Sequence, residues 1–129
     1  MREMMYILNG DPIPLARARY GNRRVWDCQK EVKLIAGISI ANQHGNQPLF
    51  CGPVCLDVTF FIKLPHNTHK YNQKLGDFHC FKPDLDNMVK FICDIANTVI
   101  YKDDCIVSQI SAKKVYDTEP RTQFIIREL

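Results

Sequence analysis

Residues 82–107 read KPDLDNMVKFICDIANTVIYKDDCIV, and the spacing within them predicts a helix. Leu85, Met88, Val89, Ile92, Ile95, Ala96 and Val99 recur at steps of three and four. At about 100° per residue, that repeat gathers them on one face, which is the face a core would cover. Asp86, Lys90 and Asn97 fall on a stripe roughly opposite. Asp84 follows Pro83 at the position of a helix N-cap, where a short acceptor side chain satisfies the free backbone N–H groups of the first turn. A second acidic pair, Asp103 and Asp104, closes the stretch just before an apolar run.

Capping and the helix dipole account for one N-terminal aspartate better than for two, and leave Asp103 and Asp104 unexplained. Carboxylates held close together repel unless a cation neutralises them, and an all-oxygen cluster suits a hard ion such as magnesium, with manganese as a substitute. Such ions orient water and stabilise charge as a phosphodiester is displaced. Lys90, one turn beyond Asp86, has two readings: an i,i+4 partner of Asp86, or a cation for the phosphate in the transition state.

Lys82-Pro83-Asp84-Leu85-Asp86-Asn87, then Lys90, then Asp103-Asp104 ahead of an apolar strand, resembles the RusA family of Holliday-junction resolvases. The resemblance implies a magnesium-dependent endodeoxyribonuclease that acts as a homodimer on four-way DNA junctions in recombination and repair. Under it, Asp84, Asp86 and Asp104 match the catalytic, metal-binding aspartates. Lys90 matches the essential lysine, and Asp103 an accessory acid. A Pro-x-Pro segment followed by basic residues is matched by Pro12, Pro14, Arg17 and Arg19, which with Arg23, Arg24, Lys70, Lys74 and Lys82 would hold DNA. Two other readings stay open: a DNA-binding module without catalysis, and an unrelated Asp-x-Asp phosphotransferase.

The rest of the chain is consistent with this in size and charge. Its 129 residues, 46% of them hydrophobic, suit one domain with a modest core. No apolar run approaches the ~18 residues needed to span a membrane, and MREMMYILNG lacks a signal-peptide pattern, so the expectation is a cytoplasmic protein without membrane partners. The net charge of +3 is small, but residues 13–26 hold four arginines and no acid, while residues 83–129 hold eight acids against six bases. A basic arm beside an acidic centre is the distribution expected of a protein that draws a polyanion to a metal site. The six cysteines show no recognised zinc-finger spacing, and without a secretion signal reduced thiols are favoured. Cys93 and Cys105 read as small core residues of the helix and of the strand after it.

Alternation predicts strands at Met4–Leu8 and across Val54–Lys63, where Val54, Leu56, Val58 and Phe60 share one face. Pro12 and Pro14 should carry the next segment over the surface, without continuing a ladder. Tyr20 and Trp26 could pack against the fold or stack on an unpaired base. Asp27 is placed to cap a helix near residues 28–42 with a broad apolar face. Residues 64–82 form a long Lys- and His-containing loop, expected to contact DNA and to order on binding. Ile106–Tyr116 and Thr122–Ile126 read as strands of a hairpin turning at Asp117–Pro120. The order β-α-β-α-β-β specifies an α+β domain: a mixed β-sheet with helices packed on it.

Overall fold

The alternation of apolar residues at Val54, Leu56, Val58 and Phe60 builds the central strand, and all four side chains are buried. A computed structural model describes residues 1–16, 19–21, 24–66 and 73–129, leaving out the side chains of 19, 20 and 24–26. The elements are β1 (Glu3–Asn9), β2 (Arg19–Gly21), β3 (Arg24–Trp26), α1 (Lys30–His44), β4 (Val54–Lys63), α2 (Leu85–Ala96), β5 (Val107–Asp117) and β6 (Arg121–Glu128). The main sheet has the order β1-β6-β4-β5 and is mixed: β4 runs parallel to β5 and antiparallel to β6, which is antiparallel to β1. Helices α1 and α2 pack together over it, α1 against β1 and α2 against β5. The expected α+β order is present, with a two-stranded ribbon, β2-β3, added in the arginine-rich arm.

The expected β5-β6 hairpin is not formed. Instead β6 enters between β1 and β4, so the 118–120 link passes over the end of β4. Arg121 holds this crossing: its guanidinium donates to Asp117 Oδ2 at 3.0 Å and to the Glu119 carbonyl at 2.9 Å, and lies 3.8 Å over the Phe61 ring. Strand alternation reports which face a residue takes, not which strand lies beside it.

In register, Leu56 sits between Ile126 and Ile110, Val58 between Phe124 and Ala112, and Phe60 between Thr122 and Lys114. These rows face the helices. Met88, Phe91, Ile92, Ile95 and Ala96 of α2 close over them, with Tyr6, Ile40, Ile100 and Tyr101 completing the core.

Helix α1 departs from its expected form. Its buried stripe is narrow, Ala36, Ile40 and His44, whereas Leu34, Ile35 and Ile38 stay exposed. His44 is accommodated in the core because Tyr6 Oη lies 2.7 Å from its Nδ1. Nor is Asp27 the N-cap. That place is taken by Gln29, and Asp27 Oδ1 accepts from the Gln29 N–H at 2.9 Å in the preceding turn. The side-chain amide of Gln43 donates to the Ile7 carbonyl and accepts from its N–H, each at 2.8 Å. All six cysteines are free; Cys93 is half-buried, but Cys105 is exposed in a single 3-10 turn, not in the core. Among the described residues no helix is long and apolar enough to cross a membrane.

Candidate active site

Pro83 leads into α2, and Asp84 occupies its N-cap with an extended backbone, φ −71° and ψ 137°. Its carboxylate accepts no capping hydrogen bond, so the local structural role predicted for it is not the one it performs. Instead it meets the ammonium of Lys82 at 3.2 Å. Asp86 lies in the first turn, where the helix dipole favours an anion. Lys90 Nζ is 3.9 Å from Asp86 Oδ2, with the two side chains 62% and 72% exposed. A pair so open to water stabilises the fold by at most ~1 kcal/mol, leaving both groups available to a ligand.

The same four-residue step continues to Asp94, whose Oδ2 receives Lys33 Nζ at 3.0 Å. Lys33 also reaches Asp27 Oδ2 at 2.6 Å. Burial pushes the Lys33 ammonium down, but the two carboxylates outweigh it and hold it above its ordinary value.

Asp103 and Asp104 stand beyond the other end of α2. The N–H of Asp104 donates to Asn97 Oδ1 at 3.0 Å, which ties the pair to the residue that ends the helix. Asp103 caps the 3-10 turn by accepting from Cys105 N–H at 3.3 Å. That backbone donor, with a hydrogen bond from Asp104, lowers the Asp103 carboxyl below the usual range. The shared hydrogen bond raises Asp104, helped by slight desolvation and the negative charges of Asp103 and Asp94.

An open depression of about 560 Å³ gathers part of this set. Asp86, Lys90, Asp94 and Asp104 line it together with Leu15, Leu85, Val89, Cys93, Ile110 and Ala112. Asp84 is not among its lining residues, and among the described residues no three His, Cys, Asp or Glu side chains lie close enough to hold one ion. Magnesium, however, is commonly held by one or two carboxylates plus water and substrate phosphate, with no need for an all-protein cage. The donor chemistry of this wall fits that mode of binding.

Residues 9–127 match the family described as Endodeoxyribonuclease RusA. The chain belongs to that family. It is also 34% identical over 96 residues to the uncharacterized protein YqaN of Bacillus subtilis (strain 168), a match covering 70% of this chain and 68% of the relative.

In this RusA-family chain the arm beside the depression is seated more closely than a surface strap. Pro12 is buried, and the Leu15 N–H donates to the Asn87 carbonyl at 2.8 Å, so the arm rests on the first turn of α2. Gln29 clamps it from α1, accepting from Ala16 N–H and donating to the Pro14 carbonyl, both at 2.8 Å. The arm therefore delivers the chain to its arginines from the edge of the acidic depression. Arg17, Arg23 and Lys70 lie outside the described residues. Arg19 and Arg24 are described only as backbone in β2 and β3, and the side chains of Tyr20 and Trp26 are likewise outside the description. Lys74 is exposed in a turn closed by Asp77, and Lys82 is exposed beside Asp84.

Of residues 64–82, the described part after residue 72 is docked on β5. Gly76 N–H donates to the Tyr116 carbonyl at 2.9 Å, Tyr116 N–H to the Asp77 carbonyl at 3.0 Å, and His79 N–H to the Lys114 carbonyl at 3.0 Å. These backbone bonds hold this part of the loop to the sheet. His79 is buried, with its ring 5.1 Å from that of Tyr116. Burial, then the nearby Lys114 charge, pushes its imidazole below its ordinary value. The unfolded chain therefore takes up a proton first. Stability supplied by neutral His79 is complete above about pH 6.5 and is lost as pH falls toward the lower folded value. Thermal melts should show a drop as pH falls below about 6.5 that becomes shallower in His79→Phe; parallel curves would remove His79 as its source.

Asp94, Asn97 and Gln29 were not singled out by sequence as site residues. Asp94 carried a signal, the repeated step from Asp86 through Lys90. Asn97 shared the polar stripe of Asp86 and Lys90, although its bond to Asp104 left no trace there, and Gln29, whose partners lie 13 and 15 residues away, carried none.

Proposed function

We propose that this RusA-family endodeoxyribonuclease resolves four-way DNA junctions by paired, magnesium-dependent phosphodiester hydrolysis in recombination and repair. The observation that carries the reading is the common wall of Asp86, Lys90 and Asp104 in an open depression, with the Asp84 carboxylate beside it unused for capping. Asp84, Asp86 and Asp104 would hold magnesium or manganese with one or two carboxylates per ion, completed by water and substrate phosphate, and the ion would supply charge to orient water and offset that of the phosphate. The exposed Lys90 ammonium would stabilise the negative charge that builds on phosphate oxygens. Water would be the nucleophile: its oxygen forms the new bond to phosphorus as one bridging P–O bond breaks. Asp103, lowered and turn-bound, would stay anionic beside Asp104 as the accessory acid.

Paired incision needs two such sites, which favours a homodimer. The exposed Leu34, Ile35 and Ile38 on α1 offer apolar surface for one. The family and the site chemistry favour action on DNA in the cytoplasm. Against a haloacid-dehalogenase-like phosphotransferase, whose first aspartate ends a strand, Asp84 here begins a helix.

The test is cleavage of a mobile four-way junction beside a linear duplex of the same sequence, with and without magnesium. Symmetric nicks in the junction alone, dependent on the ion, are expected; binding without cleavage would return the protein to a DNA-binding module. The arm has its own readout. Replacing Arg17 and Arg19 by alanine should weaken junction binding and reduce the slope of log K against log salt by about 0.9 per lost phosphate contact. An unchanged slope would take both arginines off the DNA.

A further inference from the structure

Adjacent lysines of β5 have opposite fates. Lys113 pairs in register with Thr59 and is exposed, whereas Lys114 pairs with buried Phe60 and so stands on the helix-facing side of the sheet. There its ammonium donates to the Phe81 carbonyl at 2.6 Å and to the Pro83 carbonyl at 2.8 Å. Its own carbonyl receives His79 N–H at 3.0 Å, so one residue grips the approach to α2 at three points.

The Pro83 contact bears on the acidic site through covalent geometry. The Pro83 carbonyl and the Asp84 N and Cα belong to one peptide unit and are held close to a plane. A donor fixed on that oxygen therefore fixes the point from which the Asp84 side chain projects. The Asp84 carbonyl is held by the Met88 N–H at 3.3 Å, but its carboxylate makes no cap bond and its ammonium contact, Lys82, is 87% exposed, so Lys114 supplies the hold on the preceding peptide. An ammonium can hold two carbonyls at once, since it offers three donors, and charge-assisted bonds are roughly twice as strong as neutral ones.

We propose that Lys114 is a positioning residue for Asp84, holding the peptide that aims this carboxylate at the metal and joining the 73–83 loop to the site. The inference rests on the reading of Asp84 as a metal-binding carboxylate. Lys114 itself does not touch substrate; it acts through the backbone.

The experiment compares Lys114→Met, which keeps an unbranched stem without donors, with Lys114→Arg and with Asp84→Asn in the full chain. Manganese affinity is measured without DNA by calorimetry or electron paramagnetic resonance. Junction cleavage is then followed against magnesium and against junction concentration. For Lys114→Met, kcat should fall roughly 30- to 100-fold, the loss expected from displacing a reacting group by about an ångström. Manganese binding should weaken several-fold and KM for the junction should barely change, with Lys114→Arg intermediate.

Folded Lys114→Met with normal manganese affinity and normal kcat would overturn the proposal, as would a loss confined to KM, which would make Lys114 a DNA contact. If Lys114→Met does not fold, Lys114→Gln decides: its shorter stem and neutral amide remove the charge-assisted hold on the two carbonyls, so manganese affinity and kcat must both fall, and wild-type values for either overturn the proposal. Asp84→Asn separates the two levels of inference. Normal metal binding and cleavage in that variant would remove the metal-site reading itself, whereas loss there with no loss in Lys114→Met removes only the positioning role.

Discussion

Asp84→Asn, Asp86→Asn and Asp104→Asn should each lose magnesium-dependent junction cleavage by at least about 100-fold, close to 3 kcal/mol of transition-state stabilisation. Asparagine keeps the volume and caps a helix nearly as well as aspartate, so a purely local role would survive the exchange. An anionic ligand would not. For Asp84 the contrast is sharpest, since its carboxylate makes no cap bond to preserve. Binding of the junction should persist or tighten in all three variants, because each removes a negative charge facing phosphate. Nicking within about threefold of wild type by any one variant, with folding confirmed by its urea midpoint, would exclude that aspartate as an essential ligand.

The second large effect concerns stability. Phe124→Ala should cost about 3–5 kcal/mol, a large share of the ~5–15 kcal/mol typical of a domain. Phe124 is fully buried between Tyr6 and Val58 in the strand register, and its ring stacks on Tyr6 at 5.1 Å. Neighbours locked into the sheet have little freedom to fill the cavity. Urea unfolding should show a lower midpoint with an unchanged slope; a loss under about 1 kcal/mol would mean that the core collapses around the site.

Much of the fold was legible because burial leaves a periodic trace. The repeat from Leu85 to Ala96 foretold α2, and the alternation from Val54 to Phe60 foretold β4. What could not be read is pairing between remote segments. Nothing local distinguishes a β6 beside β5 from one inserted between β1 and β4, and a turn at Asp117–Pro120 serves either topology. Helix α1 misled because apolar residues surround it, and its buried stripe includes His44, whose place depends on the Tyr6 hydroxyl from another element. The three-residue strands β2 and β3 are too short to show a period.

The candidate site divides in the same way. Asp84, Asp86, Lys90 and Asp104 could be named from residue type and spacing. Sequence could not say that Asp84 faces Lys82 without capping, that Asn97 holds Asp104, or that Asp94 shares the depression. The first two are short-range contacts that residue type does not report, and the third follows from how α2 lies against β5.

The amide that Gln43 lays against Ile7 bears on how copies of this protein can meet. With one donor and one acceptor at 2.8 Å, it stands in for a neighbouring strand one residue long, supplied by the protein's own helix. A foreign strand seeking the margin of β1 finds the ladder rung at Ile7 already taken, and joining would require breaking two bonds first. Exposed sheet margins are where chains join indiscriminately into aggregates. Here the β1 margin is blunted at Ile7 by a single polar side chain, which opposes strand addition there.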